Sequence, residues 1–145
     1  MIQAKALNHV GIAVRSLEAQ RAFYEGVLGA RLEGVQDVAD QKVRVAFYVI
    51  GPTGAEVRLE LLEPTSADSP IAQFIERRGE GLHHLAYTVE KIEDRLAALA
   101  QGGVRMIDAT ARGGAHGAKI AFVHPKASNG VLTELCEPAA AHAGK

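Results

Sequence analysis

The sequence predicts an α+β fold made of two β-α-β-β-β repeats, and internal similarity is the main reason. When the chain is shifted against itself by 75 positions, residues 7–14 fall on residues 82–89, with His9 and His84 in the same slot. Both segments alternate apolar and β-branched residues with other residues, as half-buried strands do. A helical pattern and further extended segments follow each of them. We therefore expect a duplicated unit whose two small sheets share a core, within one chain or across a dimer.

The remaining elements occur in the same order in both repeats. The paired predictions are residues 17–28 and 92–100 for the helices, then 43–50 with 119–123 and 58–64 with 132–138 for the strands. Ser16 is a suitable N-cap for the first helix, and glycines end both helices. Phe47 and Phe122 keep the shift of 75, whereas the last strands match at 74. A hairpin loop that is one residue longer in the first repeat explains that difference.

We expect a single domain over residues 1–145, because chains of this length form one folded unit. Its predicted parts are repeat 1 over about residues 7–64, a helical connector over 65–81, repeat 2 over about 82–138 and a frayed tail over 139–145. The connector carries its own helix signals: Ser69 can act as N-cap, Pro70 suits the first turn, and Gly79 can end the helix.

Composition excludes several classes of function. Sixteen basic and seventeen acidic residues give a net charge of -1, and no stretch concentrates Lys and Arg, so we expect no nucleic-acid partner. The N-terminal segment has no long apolar run, which predicts neither a signal peptide nor a membrane span. Cys136 is the only cysteine in the sequence, which excludes an internal disulfide. A small-molecule ligand and a cytoplasmic location are expected.

The duplication also selects candidate metal ligands. His9 and His84 occupy matching positions in the first strand of each repeat, and Glu60 and Glu134 occupy matching positions in the last. Side chains alternate between the faces of a strand, so equivalent residues of the two repeats face the same way. Two imidazoles and two carboxylates on one concave face are a donor set that suits Zn, Co, Ni, Mn or Fe(II).

Other interpretations of these residues are less specific. A single His in a strand is usually an ordinary core or surface residue, but a Glu inside an apolar strand is costly to bury unless it is paired. Glu63 and Glu137 lie an odd number of residues from Glu60 and Glu134, so we expect them on the opposite face. Residues 112–117 predict a mobile loop at the mouth of the site rather than a nucleotide site. Cys136 is expected to be a small core residue.

With these residues identified, the chain resembles the vicinal oxygen chelate superfamily and, within it, the methylmalonyl-CoA epimerases. The similar strings are NHVGIAV, ELLEPTSADSPIAQFIERRGEGLHHLAY and HPKASNGVLTELCEP, and the resemblance spans residues 7–138. It implies the vicinal oxygen chelate fold, in which the repeats form a shared, cup-like, curved mixed sheet. It also implies an acyl-CoA substrate and a homodimer.

The activity implied by the resemblance is a metal-dependent epimerisation at C2 of methylmalonyl-CoA. A proton next to the thioester carbonyl is removed, and a divalent cation (Co, Mn, Ni or Zn) held by His9, Glu60, His84 and Glu134 stabilises the enolate. Some members have Gln at the position of Glu60 and a separate Glu base where this chain has Val45, so that base cannot be carried over. Our hypothesis is that Glu60 and Glu134 are both ligands and the two acid/base groups, as a ligand carboxylate is in glyoxalase I.

Two alternatives stay open at this point. Glyoxalase I has the same four ligand types and acts on a glutathione hemithioacetal, although the connector favours the epimerases. The second alternative is a protein of the same fold that sequesters a ligand and catalyses no reaction. Such proteins need no buried His and Glu.

Overall fold

The computed structural model describes residues 1–140, in which strands and helices alternate as the duplication predicts. In chain order the elements are β1 (Ala6–Ala13), α1 (Leu17–Arg21), a π-helix (Ala22–Val27), β2 (Arg31–Val38), β3 (Val43–Ile50), β4 (Val57–Pro64), α2 (Pro70–Arg78), β5 (Gly81–Thr88), α3 (Ile92–Gln101), β6 (Arg112–Gly113), β7 (Lys119–Val123) and β8 (Thr133–Glu137). Short 3-10 turns are Ala39–Gln41, Ala115–Gly117 and Pro125–Ala127. The tail predicted for residues 139–145 lies, from residue 141 onward, outside the described residues.

The chain divides into two compact units that correspond to the two repeats. The first unit is His9–His83, and the second combines Met1–Asn8 with residues 84–140. The single domain predicted for residues 1–145 stays a prediction.

The first unit contains a four-stranded mixed sheet in the order β2-β3-β4-β1. β3 runs antiparallel to β2 and β4, while β1 and β4 are parallel. In this register Phe47 lies opposite Glu60. One face of the sheet packs under the first helix in an apolar cluster made of Val14, Ala30, Ala46, Tyr48 and Leu61. The other face carries Phe47 and Glu60.

The first helix begins where the sequence predicts, but only its first half is an α-helix. The Ser16 hydroxyl caps it by accepting a hydrogen bond from the Ala19 N–H at 3.1 Å. From Ala22 the helix widens into a π-helix, whose i to i−5 pattern includes the Leu28 N–H donating to the Phe23 carbonyl at 2.8 Å. Gly29 then ends the element at φ +77°, a left-handed conformation that favours glycine.

A phenol–carboxylate contact fixes this helix to the sheet. The buried Tyr48 hydroxyl donates a 2.7 Å hydrogen bond to Glu25 Oε2, and Arg21 Nε donates to the same oxygen at 2.9 Å. The Tyr24 ring stacks on Tyr48 at 5.7 Å. Burial, together with the hydrogen bond to the Glu25 carboxylate, raises the pKa of Tyr48 to about 12.

The predicted connector helix is present as α2. The Ser69 hydroxyl accepts a hydrogen bond from the Ile71 N–H at 3.1 Å, Pro70 occupies the first turn, and the Gly79 N–H closes the helix on the Ile75 carbonyl at 2.7 Å. All three signals read from the sequence are therefore confirmed.

The second unit repeats the arrangement of the first. Its sheet has the order β5-β8-β7-β6, with β5 and β8 parallel and the other pairs antiparallel. Phe122 lies opposite Glu134, as Phe47 lies opposite Glu60. The loop between these positions is therefore one residue shorter than in the first unit, which confirms the hairpin explanation. The buried cluster beneath α3 consists of Val89, Ile92, Leu96, Leu99, Ala121, Val123 and Leu135.

These observations confirm the predicted α+β class and the two β-α-β-β-β repeats. Among residues 1–140, no helix is long and apolar enough to cross a bilayer.

Candidate functional site

The first unit brings His9 and Glu60 into contact. β1 and β4 run parallel with Gly11 beside Glu60, and His9 precedes Gly11 by two residues, so both side chains lie on one face of the sheet. His9 Nδ1 is 3.2 Å from Glu60 Oε2. His9 is 4% exposed, and the Glu60 side chain is 15% exposed. The first predicted pair is therefore a contact between a buried imidazole and a partly buried carboxylate.

The second unit does the same with His84 and Glu134. β5 and β8 run parallel with Ala86 beside Glu134, which again puts the histidine two residues earlier on the shared face. His84 Nε2 is 3.1 Å from Glu134 Oε1, and both residues are buried. The equivalent pair thus recurs at the equivalent position of the second repeat.

The two contacts use different imidazole nitrogens. Nδ1 of His9 faces its carboxylate, whereas Nε2 of His84 faces the other. The duplication therefore preserves the residues and the contact, but not the atoms that make it.

These donors fit a divalent cation. Two ligand atoms bound about 2.1 Å from one ion and at right angles to each other lie about 3 Å apart. The nitrogen–oxygen separations of 3.2 Å and 3.1 Å match that spacing within each pair. Nitrogen and carboxylate oxygen are also the donors that Zn, Co, Ni and Mn accept in proteins. Each pair is therefore chemically suited to supply two neighbouring ligands.

The nearby carboxylates point elsewhere, as the strand alternation predicts. Glu137 Oε1 accepts a 2.9 Å hydrogen bond from the Ile92 N–H, at the start of α3 on the opposite face of β8. Glu63 lies opposite Arg44 in the register of β3 and β4, an odd number of positions from Glu60. Neither carboxylate shares a face with the paired ligands.

Sequence reasoning missed an arginine beside the second pair. The Phe122 ring packs edge-on against His84 at 5.6 Å, with an interplanar angle of 90°. The guanidinium carbon of Arg112 lies 5.7 Å from the centroid of the same ring. The repeated Phe was visible in the sequence, but only a structure could show that Arg112 covers it. The predicted mobile loop here is a short strand, Arg112–Gly113, followed by a 3-10 turn.

Cys136 is buried, as predicted. It lies 5% exposed in a small cluster with Ala118, Ile120 and Phe122. It therefore acts as a core side chain of this sheet face.

Comparison with known proteins identifies the family. Residues 8–122 match the model of the Glyoxalase/Bleomycin resistance protein/Dioxygenase superfamily. The chain is 48% identical to the uncharacterized protein YqjC of Bacillus subtilis, with 91% of each covered. It is 42% identical to the ethylmalonyl-CoA/methylmalonyl-CoA epimerase of Cereibacter sphaeroides, over 89% of this chain and 95% of that one.

Solved structures agree with the sequence comparisons. A variant of the Streptomyces coelicolor methylmalonyl-CoA epimerase, in complex with 2-nitronate-propionyl-CoA, matches with a TM-score of 0.88 and 36% identity. The match covers 95% of this chain and 100% of that one. Together with the His–Glu contact in each repeat, these similarities show that the chain belongs to the Glyoxalase/Bleomycin resistance protein/Dioxygenase superfamily and, within it, to the methylmalonyl-CoA epimerase family.

Proposed function

We propose that this protein catalyses the reversible inversion of C2 in methylmalonyl-CoA. The observation that carries the proposal is the recurrence of one imidazole–carboxylate contact, His9 with Glu60 and His84 with Glu134, at the same position of both repeats. Relatives that are 42% and 38% identical to this chain are epimerases of this substrate class, from Cereibacter sphaeroides and from Homo sapiens.

We propose further that His9, Glu60, His84 and Glu134 hold one divalent cation. Each of the four side chains carries a nitrogen or an oxygen of the kind that binds such ions, and burial of His9, His84 and Glu134 keeps water from competing for their ligand atoms. The cation would supply Lewis-acid stabilisation of the negative charge that develops next to the thioester. Co, Mn, Ni and Zn are the candidate ions.

In the proposed mechanism the two glutamates transfer the proton. One carboxylate takes the C2 proton of one enantiomer, and the other returns a proton to the opposite side. Each carboxylate has one oxygen against its histidine, Oε2 in Glu60 and Oε1 in Glu134. Val45, on β3, has no group that could act as a base.

The decisive experiment is C2 deuterium exchange of methylmalonyl-CoA in D2O, followed by proton NMR with the metal-loaded and the chelator-treated protein. We expect exchange with the metal and a return of exchange when metal is added back after chelation. Absence of metal-dependent exchange would overturn the proposal. Turnover of methylglyoxal with glutathione instead would favour the glyoxalase I alternative, and ligand binding without either reaction would favour sequestration.

Glu60→Gln tests the role of the first carboxylate, with Glu63→Gln as the matched control on the other face of β4. We expect Glu60→Gln to lose most of the exchange and Glu63→Gln to retain it. Full epimerase activity of Glu60→Gln with its metal retained would exclude Glu60 as a base.

The homodimer and the cytoplasmic location also stay predictions.

A further inference from the structure

Arg112 is held beside the second imidazole–carboxylate pair by contacts with Phe122 and Asp108. Its guanidinium carbon lies 5.7 Å from the Phe122 ring centroid, and its Nε lies 3.5 Å from Asp108 Oδ1. The other Asp108 oxygen, Oδ2, accepts a 2.8 Å hydrogen bond from the Phe122 N–H. Asp108 therefore fixes the arginine and the backbone of the aromatic residue beneath it.

The strand register puts this arginine on the face of the sheet that carries Glu134. Arg112 lies opposite Ile120 in the pairing of β6 with β7, and Phe122 lies opposite Glu134 in the pairing of β7 with β8. Ile120 and Phe122 are two residues apart, so Arg112, Phe122 and Glu134 belong to the same face. Since Phe122 also packs on His84, only one aromatic ring separates the guanidinium from a proposed metal ligand.

The guanidinium has hydrogen-bonding capacity beyond its ion pair. Arg carries five N–H donors in a planar fork that matches a carboxylate. Asp108 faces Nε, and within residues 1–140 it is the carboxylate that pairs with Arg112. The Arg112 side chain is 39% exposed, so its terminal nitrogens can be reached by a ligand. The aromatic surface beneath supports the flat guanidinium without taking up its N–H groups.

We propose that Arg112 is a specificity-determining residue that binds the free carboxylate of the substrate, so that the protein selects 2-carboxyacyl thioesters over neutral acyl thioesters. This inference rests on the proposed function. In an acyl-CoA the carboxylate is next to the reacting carbon, whereas the CoA phosphates lie at the far end of the pantetheine arm. A cation one ring away from His84 therefore fits the carboxylate better than a phosphate.

Binding of non-reacting ligands tests the inference. Malonyl-CoA and propionyl-CoA differ by one carboxylate, and their dissociation constants for the metal-loaded protein can be measured by calorimetry. We expect Arg112→Gln to raise the dissociation constant of malonyl-CoA by about tenfold or more, because one charge-assisted bidentate contact is lost. The dissociation constant of propionyl-CoA should stay nearly unchanged. Arg112→Lys should have a malonyl-CoA affinity between those of the wild type and Arg112→Gln, since it keeps the positive charge but not the planar fork of N–H donors. The control is Arg44→Gln, which removes an exposed Arg–Asp pair between β2 and β3. It should change the affinity for neither ligand.

Truncated ligands separate the carboxylate from the phosphates. Malonyl-pantetheine has no phosphate. Its affinity should fall in Arg112→Gln by the same factor as that of malonyl-CoA. A loss seen with malonyl-CoA but absent with malonyl-pantetheine would assign Arg112 to a phosphate and overturn the inference. Equal weakening of malonyl-CoA and propionyl-CoA would also overturn it, since that is the result of a purely structural role.

The two proposals can fail separately. C2 exchange by the wild-type protein with unchanged ligand selectivity in Arg112→Gln would reject the role of Arg112 alone. Selectivity that depends on Arg112 in a protein without C2 exchange would reject the epimerase proposal alone.

Discussion

Glu137 accepts a hydrogen bond from the Ile92 N–H at 2.9 Å, although these residues are 45 positions apart. Helix α3 needs this contact, because its N-cap position is Lys91 in a left-handed conformation and gives no side-chain cap. The carboxylate three residues after Glu134 thus stabilises a helix, while Glu134 itself faces a histidine. One short strand therefore carries a structural and a proposed catalytic glutamate on its two faces.

Glu137→Ala should destabilise the protein without affecting the proposed chemistry. Loss of the cap of α3 is expected to cost about 1 kcal/mol of unfolding free energy. Thermal or urea unfolding measures this cost, with Glu137→Gln as the control because its amide oxygen can still accept the Ile92 hydrogen bond. Wild-type stability of Glu137→Ala would show that the contact contributes nothing.

Glu134→Gln should have the opposite profile. We expect C2 exchange to fall by about a hundredfold or more, since a proton-transfer group and an anionic ligand are lost together. Unfolding free energy should change little, because the amide keeps the size of the side chain. Exchange rates measured beside those of Glu137→Gln check this, and equal rates in the two variants would remove Glu134 from the mechanism.

His84→Ala should weaken metal binding by at least about tenfold, because a direct ligand contributes more than the outer-shell groups that are worth that much. The metal content after dialysis at a series of free metal concentrations measures the effect. The control is His83→Ala, whose ring packs edge-on against Phe74 at 4.9 Å. Equal metal affinity in both variants would contradict the proposed ligand set.

Tyr48→Phe should change how stability depends on alkaline pH. The pKa of Tyr48 is raised from 10 to about 12 in the folded protein, so folding favours the neutral phenol. That contribution is fully present below pH 10 and is lost as the pH rises through 12. Urea unfolding at a series of pH values should therefore show wild-type stability declining over this range more steeply than that of Tyr48→Phe. Phenolate absorbance should lose one high-pH transition in the variant, and parallel curves would refute the assignment.

Much of this structure could be predicted because the repeat and the alternation of side chains can both be read directly from the sequence. Residues 43–50 and 119–123 were predicted as strands and match β3 and β7 in full. The His and Glu pairs followed from two matching positions in two strands. The site as a whole, which combines both pairs, stays a prediction.

Other features depended on contacts that no local pattern contains. The hydrogen bond of Asp108 to Phe122 links residues 14 positions apart through an irregular loop, so the position of Arg112 could not be foreseen. A helix of period 3.6 and a π-helix also differ too little over the six residues Ala22–Val27 to be separated by their apolar spacing.

The π-helix records a difference between the two copies. From the start of α1 at Leu17 to the left-handed Gly29 the chain advances twelve positions, whereas from Ile92 to the left-handed Gly103 it advances eleven. A π-helix accommodates an additional residue without lengthening the element by a full turn. The first copy therefore has one more residue between these two points, and the wider turn accommodates it inside the helix. One residue can therefore be gained or lost within Ala22–Val27 while the helix keeps both its start and its left-handed glycine at the end.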